Sequence, residues 1–275
     1  MPRVIVFSHA NGFPAGTYRS LFEAWRAAGF AVHAVEKYGH DPRYPVTNNW
    51  PHLREELVQC IEQRAGGPAW LVGHSLGGYL SLMAASRRPD LALGVVLLDS
   101  PVVAGWKARA LQFAKATGIG ERLSPGYVSR RRRQEWDSAD AAYAHFHAKP
   151  AFARWAPGVL RDYIDSATET QGGVRRLSFQ RDVETAIYNH LPHHLARVLR
   201  AHPLRCPAAF VRGTASNEVR QVGMRATERL ARGRIVDIEG SHLFPFERPA
   251  QTTATVLRLI ESMQTPHEGA VRVGG

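Results

Sequence analysis

Short apolar runs alternate along this chain with segments in which apolar residues recur every three or four positions. Runs rich in Val, Ile and Leu suit strands that are covered on both faces, and the longer period suits amphipathic helices. The predicted strands are Val4–Ser8, Ala31–Val35, Ala69–Val72, Gly94–Leu98, Ala208–Arg212 and Arg234–Ile238. The predicted helices are Tyr18–Ala28, Trp50–Arg64, Leu76–Arg87, Val219–Ala231 and Ala250–Gln264. This alternation predicts an α/β fold with a doubly wound, mostly parallel sheet.

Residues 102–199 break this alternation, because they contain no run that predicts a strand. The interval is rich in Arg, Ala, His, Trp and Tyr and carries turn sequences such as Ser124-Pro125-Gly126. We therefore predict a core made of residues 1–101 and 200–264, with residues 102–199 inserted as a helical cap. Residues 265–275 show no apolar period, and we expect them to form a flexible tail.

Charge narrows the class of protein only slightly. The chain has 275 residues and a net charge of +11, and nearly all of its positive charge is arginine. A basic surface attracts anions in general, but no nucleic-acid-binding motif accompanies the densest run, Arg130–Arg133. We interpret that run as the solvated face of a helix and expect no nucleic-acid partner.

The cysteine content and the absence of long apolar runs bear on location. Cys60 and Cys206 are the only cysteines, too few for the disulfide framework of a small secreted domain. An apolar strand is predicted from Val4 onward, so no leader peptide is visible, and no apolar run is long enough to span a bilayer. We therefore expect a cytoplasmic protein, and a homodimer is compatible with the sequence.

The stretch Gly73-His74-Ser75-Leu76-Gly77-Gly78 lies between a predicted strand and a predicted helix. A strand, a tight turn with serine at its apex and a helix together make the nucleophile elbow G-x-S-x-G. Side chains at the glycine positions would collide with the neighbouring strand and helix. The start of the helix places the positive end of its dipole near the oxyanion that develops during acyl transfer. An ordinary glycine-rich turn is the alternative, and the flanking elements favour Ser75 as a nucleophile.

A serine nucleophile needs a general base, and His242 is the strongest candidate among the 13 histidines. It lies in the loop between the last predicted strand and the last predicted helix. Loops at the carboxyl ends of parallel strands meet at one edge of a sheet, which places His242 on the same side as Ser75. The candidate oxyanion donors are the backbone N–H groups of Leu76 and Phe13, because Gly12 permits a turn that aims the second of them at the site.

Three motifs in this order carry a family resemblance: Asn11-Gly12-Phe13-Pro14, the Gly-His-Ser-Leu-Gly-Gly stretch and Gly240-Ser241-His242. Together they resemble the α/β-hydrolase fold superfamily, in its serine-hydrolase branch with a helical cap. The resemblance covers residues 1–101 and 200–264, and the predicted insertion matches the usual position of the cap. The first antiparallel hairpin of that family is missing from this interpretation.

The resemblance implies that Ser75 is the nucleophile, His242 the base, and Leu76 and Phe13 the oxyanion donors. It leaves the triad acid open, because the loop in which the family usually carries that acid reads Ser216-Asn217-Glu218 here. Asp99 is the best substitute, since it ends the preceding predicted strand and some members of the superfamily take their acid from that strand. A capping role for Asp99 before Pro101 is the alternative, and Glu218 is the alternative acid.

We therefore expect a serine hydrolase that cleaves a carboxylic ester or related acyl substrate through an acyl-enzyme. Its partner is a small-molecule acyl substrate with an apolar part. A thioesterase, a lactonase, a carbon–carbon bond hydrolase and a perhydrolase share the same triad and stay open, as does a non-catalytic ligand-binding relative. We expect no cofactor and no metal, because no carboxylate or cysteine sits at ligand spacing from the cluster of His190, His193 and His194.

Overall fold

The computed structural model describes residues 3–116 and 132–264. Six strands form a parallel sheet in the spatial order β2-β1-β3-β4-β8-β9, and three more form a small antiparallel sheet in the order β5-β7-β6. The strands within the described residues are β1 Val4–Ser8, β2 Ala31–Ala34, β3 Ala69–His74, β4 Ala92–Leu98, β5 Glu135–Trp136, β6 Thr168–Gln171, β7 Val174–Leu177, β8 Ala208–Gly213 and β9 Ile235–Ile238. The predicted fold class, with its mostly parallel sheet, is confirmed.

Helices cover both faces of the large sheet. They are α1 Arg19–Ala27, α2 Pro51–Arg64, α3 Leu76–Arg87, α4 Gly105–Ala116, α5 Ala139–His147, α6 Pro150–Ala153, α7 Val159–Ala167, α8 Arg181–Asn189, α9 Leu195–Ala201, α10 Asn217–Val222, α11 Arg225–Ala231, α12 Phe244–Glu247 and α13 Pro249–Gln264. Ile5 and Phe7 pack with α1 and α13 on one face, whereas Val6 packs with α2 and α3 on the other. Both faces of the strands are buried, which explains their uninterrupted apolar sequences.

The predicted elements differ from the observed ones mainly at breaks and ends. The single helix predicted over Val219–Ala231 is two helices, α10 and α11, because the first ends at Gly223, whose φ is 82°. β9 begins at Ile235 rather than at Arg234, and β3 continues to His74. None of these differences moves a strand within the sheet.

The prediction that residues 102–199 contain no strand is wrong. β5, β6 and β7 lie in this interval, and each has only two to four residues. Most of their residues are polar and exposed or half-buried, so they lack the apolar alternation by which a strand is predicted. The interval is otherwise helical, and its boundaries as a cap stay a prediction.

The arginine run differs from the prediction at the two positions that the structure describes, Arg132 and Arg133. They precede β5 and belong to no helix, so the helix-face interpretation is wrong for them. The guanidinium of Arg132 lies 2.7 Å from the carboxylate of Glu184, and the two side chains are 16% and 8% exposed, respectively. Arg130, Arg131 and the predicted tail lie outside the described residues. Within the described ranges, no helix is long and apolar enough to cross a membrane.

Because the large sheet is parallel, its strands deliver their following loops to one edge. β1 leads into the Ala10–Pro14 loop, β3 into Ser75, β4 into Asp99, β8 into Ser216 and β9 into the loop that holds His242. Residues far apart in sequence therefore meet at this edge.

Candidate active site

Ser75 occupies a sharp turn between β3 and α3. Its backbone has φ 53° and ψ −115°, a combination that L-residues rarely adopt. The Ser75 N–H donates to the carbonyl of Leu98 at 3.0 Å, and the Ser75 carbonyl accepts from the Ser100 hydroxyl at 2.9 Å. Bonds to two residues around the end of β4 thus hold a strained serine in place, which is the arrangement of a nucleophile elbow.

Gly77 is required by the close approach of α3 to β1. A Cβ atom on Gly77 would lie 1.9 Å from the carbonyl oxygen of Ser8. Real Cβ atoms do not come so near to a backbone oxygen, so any larger residue would push the elbow away from the sheet. This explains the small residues that follow the serine in sequence.

The loop carrying His242 is fixed by the buried carboxylate of Glu247. The Ser241 hydroxyl donates to one oxygen of Glu247 at 2.6 Å, and the Ser241 N–H donates to the other at 3.0 Å. The Ser241 hydroxyl also accepts the N–H of Leu243 at 3.1 Å. The residues on both sides of His242, Ser241 and Leu243, are therefore held by hydrogen bonds.

The imidazole of His242 meets the carboxylate of Asp99. Its Nδ1 lies 2.7 Å from Oδ2 of Asp99, and the Asp99 side chain is fully buried. The same carboxylate accepts the Gly213 N–H at 2.9 Å and the Ser216 hydroxyl at 2.5 Å. Asp99 itself has φ 48°, an uncommon value for a residue with a side chain. Three donors hold this carboxylate in one orientation beneath the imidazole.

Glu218, the alternative acid, lies near the same nitrogen but not in hydrogen-bond contact with it. Its Oε2 is 3.8 Å from Nδ1 of His242, and its side chain is 47% exposed. The intervening Ser216 hydroxyl lies 3.4 Å from the same oxygen. Asn217, which stands at the loop position where an acid was expected, accepts a hydrogen bond from Arg220 instead. The two predicted carboxylates are thus both at the site, with Asp99 the one in direct contact.

Two opposing effects act on His242. Burial alone lowers the pKa of an imidazole, but the hydrogen bond to Asp99 and the negative charges of Glu218 and Asp99 outweigh it, so the pKa of His242 is raised above 6.5. The environment therefore stabilises an imidazolium once a proton arrives.

A second, fully buried histidine holds the backbone of His242. The Tyr18 hydroxyl accepts the Ala10 N–H at 3.1 Å and lies 2.7 Å from Nδ1 of His74, whose Nε2 is 2.9 Å from the His242 carbonyl. That carbonyl only accepts, so Nε2 of His74 carries the hydrogen and Nδ1 accepts from Tyr18. Burial holds the pKa of His74 well below 6.5, which keeps it neutral. This chain connects the loop after β1 to the loop after β9.

The two candidate oxyanion donors differ in their surroundings. Leu76 begins α3, where N–H groups of the first turn have no acceptor within the helix. The Phe13 N–H donates to the Ala10 carbonyl at 3.1 Å and closes a turn in which Gly12 has φ 79°. A substrate oxygen would have to share the Phe13 N–H with that carbonyl.

Aromatic side chains from the insertion pack against Phe13. Its ring centroid lies 5.9 Å from that of Trp155 and 5.7 Å from that of Tyr163, and Phe246 of α12 is 5.3 Å away. The insertion therefore covers the loop after β1 with apolar surface. The ion pair of Arg132 and Glu184 touches the same loop, because a Cβ atom on Gly12 would lie 2.8 Å from a Glu184 oxygen.

One group of side chains has the composition of a metal site. Ligand atoms of Asp99, Glu218 and His242 all lie within 4.8 Å of one another. The closest of these atoms, Nδ1 of His242 and Oδ2 of Asp99, already face each other at hydrogen-bond distance, so a cation would have to displace the imidazole proton. The His190–His194 cluster does not form a second such group within the described residues.

Comparison with known proteins establishes the family. A model described as the alpha/beta hydrolase family matches residues 5–256, and the chain belongs to that family. Monoglyceride lipase of Rattus norvegicus is 27% identical over 111 residues, which is 38% of this chain and 37% of the lipase. Esterase Rv0045c of Mycobacterium tuberculosis is 33% identical over 99 residues, 36% of this chain and 33% of the esterase. The chain thus matches about a third of the length of these relatives.

Solved structures extend the likeness to nearly the whole chain. The crystal structure of E-2-(acetamidomethylene)succinate hydrolase superposes with a TM-score of 0.72 at 23% identity, covering 94% of this chain and 91% of that one. At this identity the likeness shows the fold alone. The predicted resemblance to the α/β-hydrolase superfamily is confirmed.

Sequence reasoning missed three residues that shape the site: Tyr18, Ser216 and Glu247. Ser216 caps α10 by accepting the Val219 N–H at 3.1 Å, and a serine just before a helix is a recognisable capping pattern. Its second contact, with Asp99, depends on the neighbouring positions of β4 and β8, which the local sequence does not reveal. Tyr18 contacts His74 across 56 positions. Glu247 contacts Ser241 only six positions away, but no sequence motif marks that contact.

Proposed function

We propose that this protein is a serine hydrolase of carboxylic esters, with Ser75 as nucleophile, His242 as base and Asp99 as the acid that orients the base. The observation that carries the proposal is the 2.7 Å contact between Nδ1 of His242 and the buried carboxylate of Asp99. The ring of His242 lies 5.1 Å from that of His74, the residue directly before Ser75. A strained serine beside an oriented imidazole is the arrangement that nucleophilic acyl transfer needs.

The reaction proceeds in two halves. Ser75 Oγ attacks the ester carbonyl carbon while Nε2 of His242 takes the hydroxyl proton. The Leu76 N–H donates to the resulting oxyanion, and so does the Phe13 N–H, which also donates to the Ala10 carbonyl. The tetrahedral intermediate collapses, and the imidazolium gives its proton to the departing alkoxide. Water then attacks the acyl-enzyme, His242 accepts the water proton, and the carboxylic acid leaves as Ser75 regains its proton.

The surroundings of Asp99 support its role in this cycle. The imidazolium that forms after proton transfer faces the carboxylates of Asp99 and Glu218, which favour its positive charge. Because Asp99 bonds to Nδ1, the tautomer of neutral His242 leaves Nε2 free to act as the base. The raised pKa of His242 agrees with this arrangement.

The proposed substrate is a small or medium-sized ester with an apolar part. The aromatic cover on Phe13 supports an apolar environment beside the oxyanion loop. The names of the monoglyceride lipase and esterase relatives support the same class of bond. The predicted helical cap over this edge of the sheet, at residues 102–199, is part of the proposal.

The test is intact-mass analysis after incubation with a fluorophosphonate, on the wild type and on Ser75→Ala. We expect one adduct per chain in the wild type and none in the variant. Ser262→Ala is the control, because its hydroxyl donates to the Leu259 carbonyl within α13 and takes no part in the proposed site. A folded wild-type protein that takes no adduct would favour a non-catalytic ligand-binding protein. After a positive result, esters, thioesters and lactones of matched chain length would identify the preferred acyl substrate.

A further inference from the structure

A cleft of about 600 Å³ lies between α4, α9 and α11. It is separate from the proposed active site, since Ser75, Asp99 and His242 are not among its described lining residues. Its volume falls in the range of pockets that hold small molecules. The proposed ester hydrolysis gives this cleft no role.

Each of the three helices contributes both arginine and small or apolar residues to the cleft. The arginines are Arg109 from α4, Arg197 and Arg200 from α9, and Arg229 from α11. Arg197 and Arg200 are three positions apart and therefore lie on one face of their helix. All four are exposed at the rim. Four cations from three helices converge on one concavity.

Apolar side chains line the less exposed part of the cleft, together with the half-buried His193 and His194. Val102 is buried, and Leu199 and Leu230 are half-buried beside it. The described lining residues include no carboxylate, so nothing among them offsets the charge of the arginines within the cleft. The chain as a whole has a net charge of +11, which adds to the positive potential there.

We propose that this cleft binds an amphiphilic phosphate monoester. Arginine guanidinium groups match the oxygens of a phosphate with paired hydrogen bonds, and several of them together suit its double negative charge. The apolar inner surface would hold a short alkyl chain attached to that phosphate. A concave apolar floor fits a chain better than it fits the exposed backbone of a nucleic acid. The proposal does not depend on the activity of Ser75.

The test is isothermal titration calorimetry with hexyl phosphate, inorganic phosphate and hexanol, at low and at physiological salt. We expect hexyl phosphate to bind at least about tenfold more tightly than inorganic phosphate, since burying two methylene groups supplies that factor. Hexanol should show no measurable binding. Added salt should weaken hexyl phosphate binding, because the contact depends on charge.

A double variant removes cations from two sides of the cleft. Arg197→Gln/Arg229→Gln should weaken hexyl phosphate binding at least about tenfold, the usual scale for losing hydrogen bonds to a charged group. The matched control is Arg205→Gln/Arg258→Gln, which loses the same charge at exposed positions outside the lining and should change binding less than about twofold. Equal losses in both double variants, or hexyl phosphate binding no tighter than inorganic phosphate, would overturn the proposal.

The Ser75→Ala variant separates this site from the active site. It should bind hexyl phosphate as the wild type does, and loss of binding in Ser75→Ala would contradict a separate cleft. Kinetics with an ester substrate then identify the source of the phosphate. Competitive inhibition by hexyl phosphate would indicate a phosphate carried by the substrate, and non-competitive or absent inhibition would indicate a separate ligand.

Discussion

The carboxyl ends of β4 and β8, which are neighbours in the sheet, each bring a carboxylate towards His242. Asp99 at the end of β4 is fully buried and lies 2.7 Å from Nδ1. Glu218, in the first turn of the helix after β8, is 47% exposed and 3.8 Å away. The first carboxylate accepts three hydrogen bonds from protein donors, whereas water screens the second.

This difference shows that burial and donors, rather than the usual place of the acid along the chain, distinguish the two carboxylates. After β8 the loop carries Ser216 and Asn217 where an acid was expected, and the Ser216 hydroxyl donates to Asp99. The loop after β8 therefore supplies a hydrogen-bond donor to Asp99 instead of supplying the acid itself. We therefore expect Asp99 to orient His242 and Glu218 to act only through its charge.

The largest effect should follow Asp99→Asn. Amidation of a triad aspartate favours the wrong histidine tautomer and lowers turnover by about 10⁴ in a serine protease, and we expect a similar fall in kcat/KM here. Steady-state ester hydrolysis measures it. Asp237→Asn is the control, because Asp237 forms a half-exposed ion pair with Arg212 away from the imidazole. An unchanged kcat/KM in Asp99→Asn would end the assignment of the acid.

Moving the acid from the end of β4 to the loop after β8 tests whether either position can supply the carboxylate that contacts His242. In Asp99→Ser/Ser216→Asp the two contacting side chains exchange places, so a carboxylate is again near Nδ1 of His242. We expect kcat/KM at least about tenfold above that of Asp99→Ser alone, within the range of coupling energies between contacting residues. If the exchange recovers nothing, the two positions are not interchangeable and the end of β4 is essential.

Tyr18→Phe tests whether the imidazole is also positioned from the other side. The change removes the hydroxyl that bonds to the Ala10 N–H and to Nδ1 of His74, which leaves buried groups without a partner. We expect kcat to fall about tenfold with little change in KM, on the scale of one lost buried hydrogen bond. Tyr44→Phe is the control, since that hydroxyl bonds to Gln59. A fall in kcat as large as that in Asp99→Asn would mean that the carboxylates are not the main groups that position His242.

Ser216→Ala separates support of the acid from helix capping. The serine caps α10 and donates to Asp99. Loss of a serine cap lowers the free energy of unfolding by about 1 kcal/mol, and we expect that loss together with a several-fold fall in kcat/KM. Ser138→Ala is matched to it, because Ser138 caps α5 by accepting the Ala141 N–H and touches no site residue in the described structure. Equal activity in both variants would remove Ser216 from the site.

Glu218→Gln should have the smallest effect on kcat/KM, confined to its pH dependence. Activity requires neutral His242, so it rises as pH increases through the pKa of that imidazole. Removing the negative charge of Glu218 makes the imidazolium less stable, so this pKa falls and the rise in kcat/KM moves to lower pH. Well above that pH, kcat/KM should stay near the wild-type value. Glu228→Gln changes charge equally and should leave the profile in place.

Much of this account was accessible from the sequence. The six strands of the large sheet were predicted close to their observed positions along the chain, because buried parallel strands are apolar over their whole length. Ser75 and His242 were predicted from motifs that sit at strand ends, where parallel topology guarantees proximity. The confirmed family follows from the same motifs.

Other parts depend on contacts between distant segments. The sequence left Asp99 and Glu218 open as acids, because spacing does not show which side chain is buried. It also missed the Tyr18–His74 chain, whose partners lie 56 positions apart. The strands β5 to β7 were missed because they are short and polar, so backbone pairing rather than apolar burial defines them.

The most direct test of the central claim is the rate at which a fluorophosphonate modifies Ser75 in the wild type, in Asp99→Asn and in Glu218→Gln. Intact mass gives the rate, and peptide mapping locates the adduct. We expect modification at Ser75, a rate within a few-fold of wild type for Glu218→Gln, and a fall of about 10³-fold or more for Asp99→Asn. Equal rates in all three proteins, or a large loss confined to Glu218→Gln, would contradict the account.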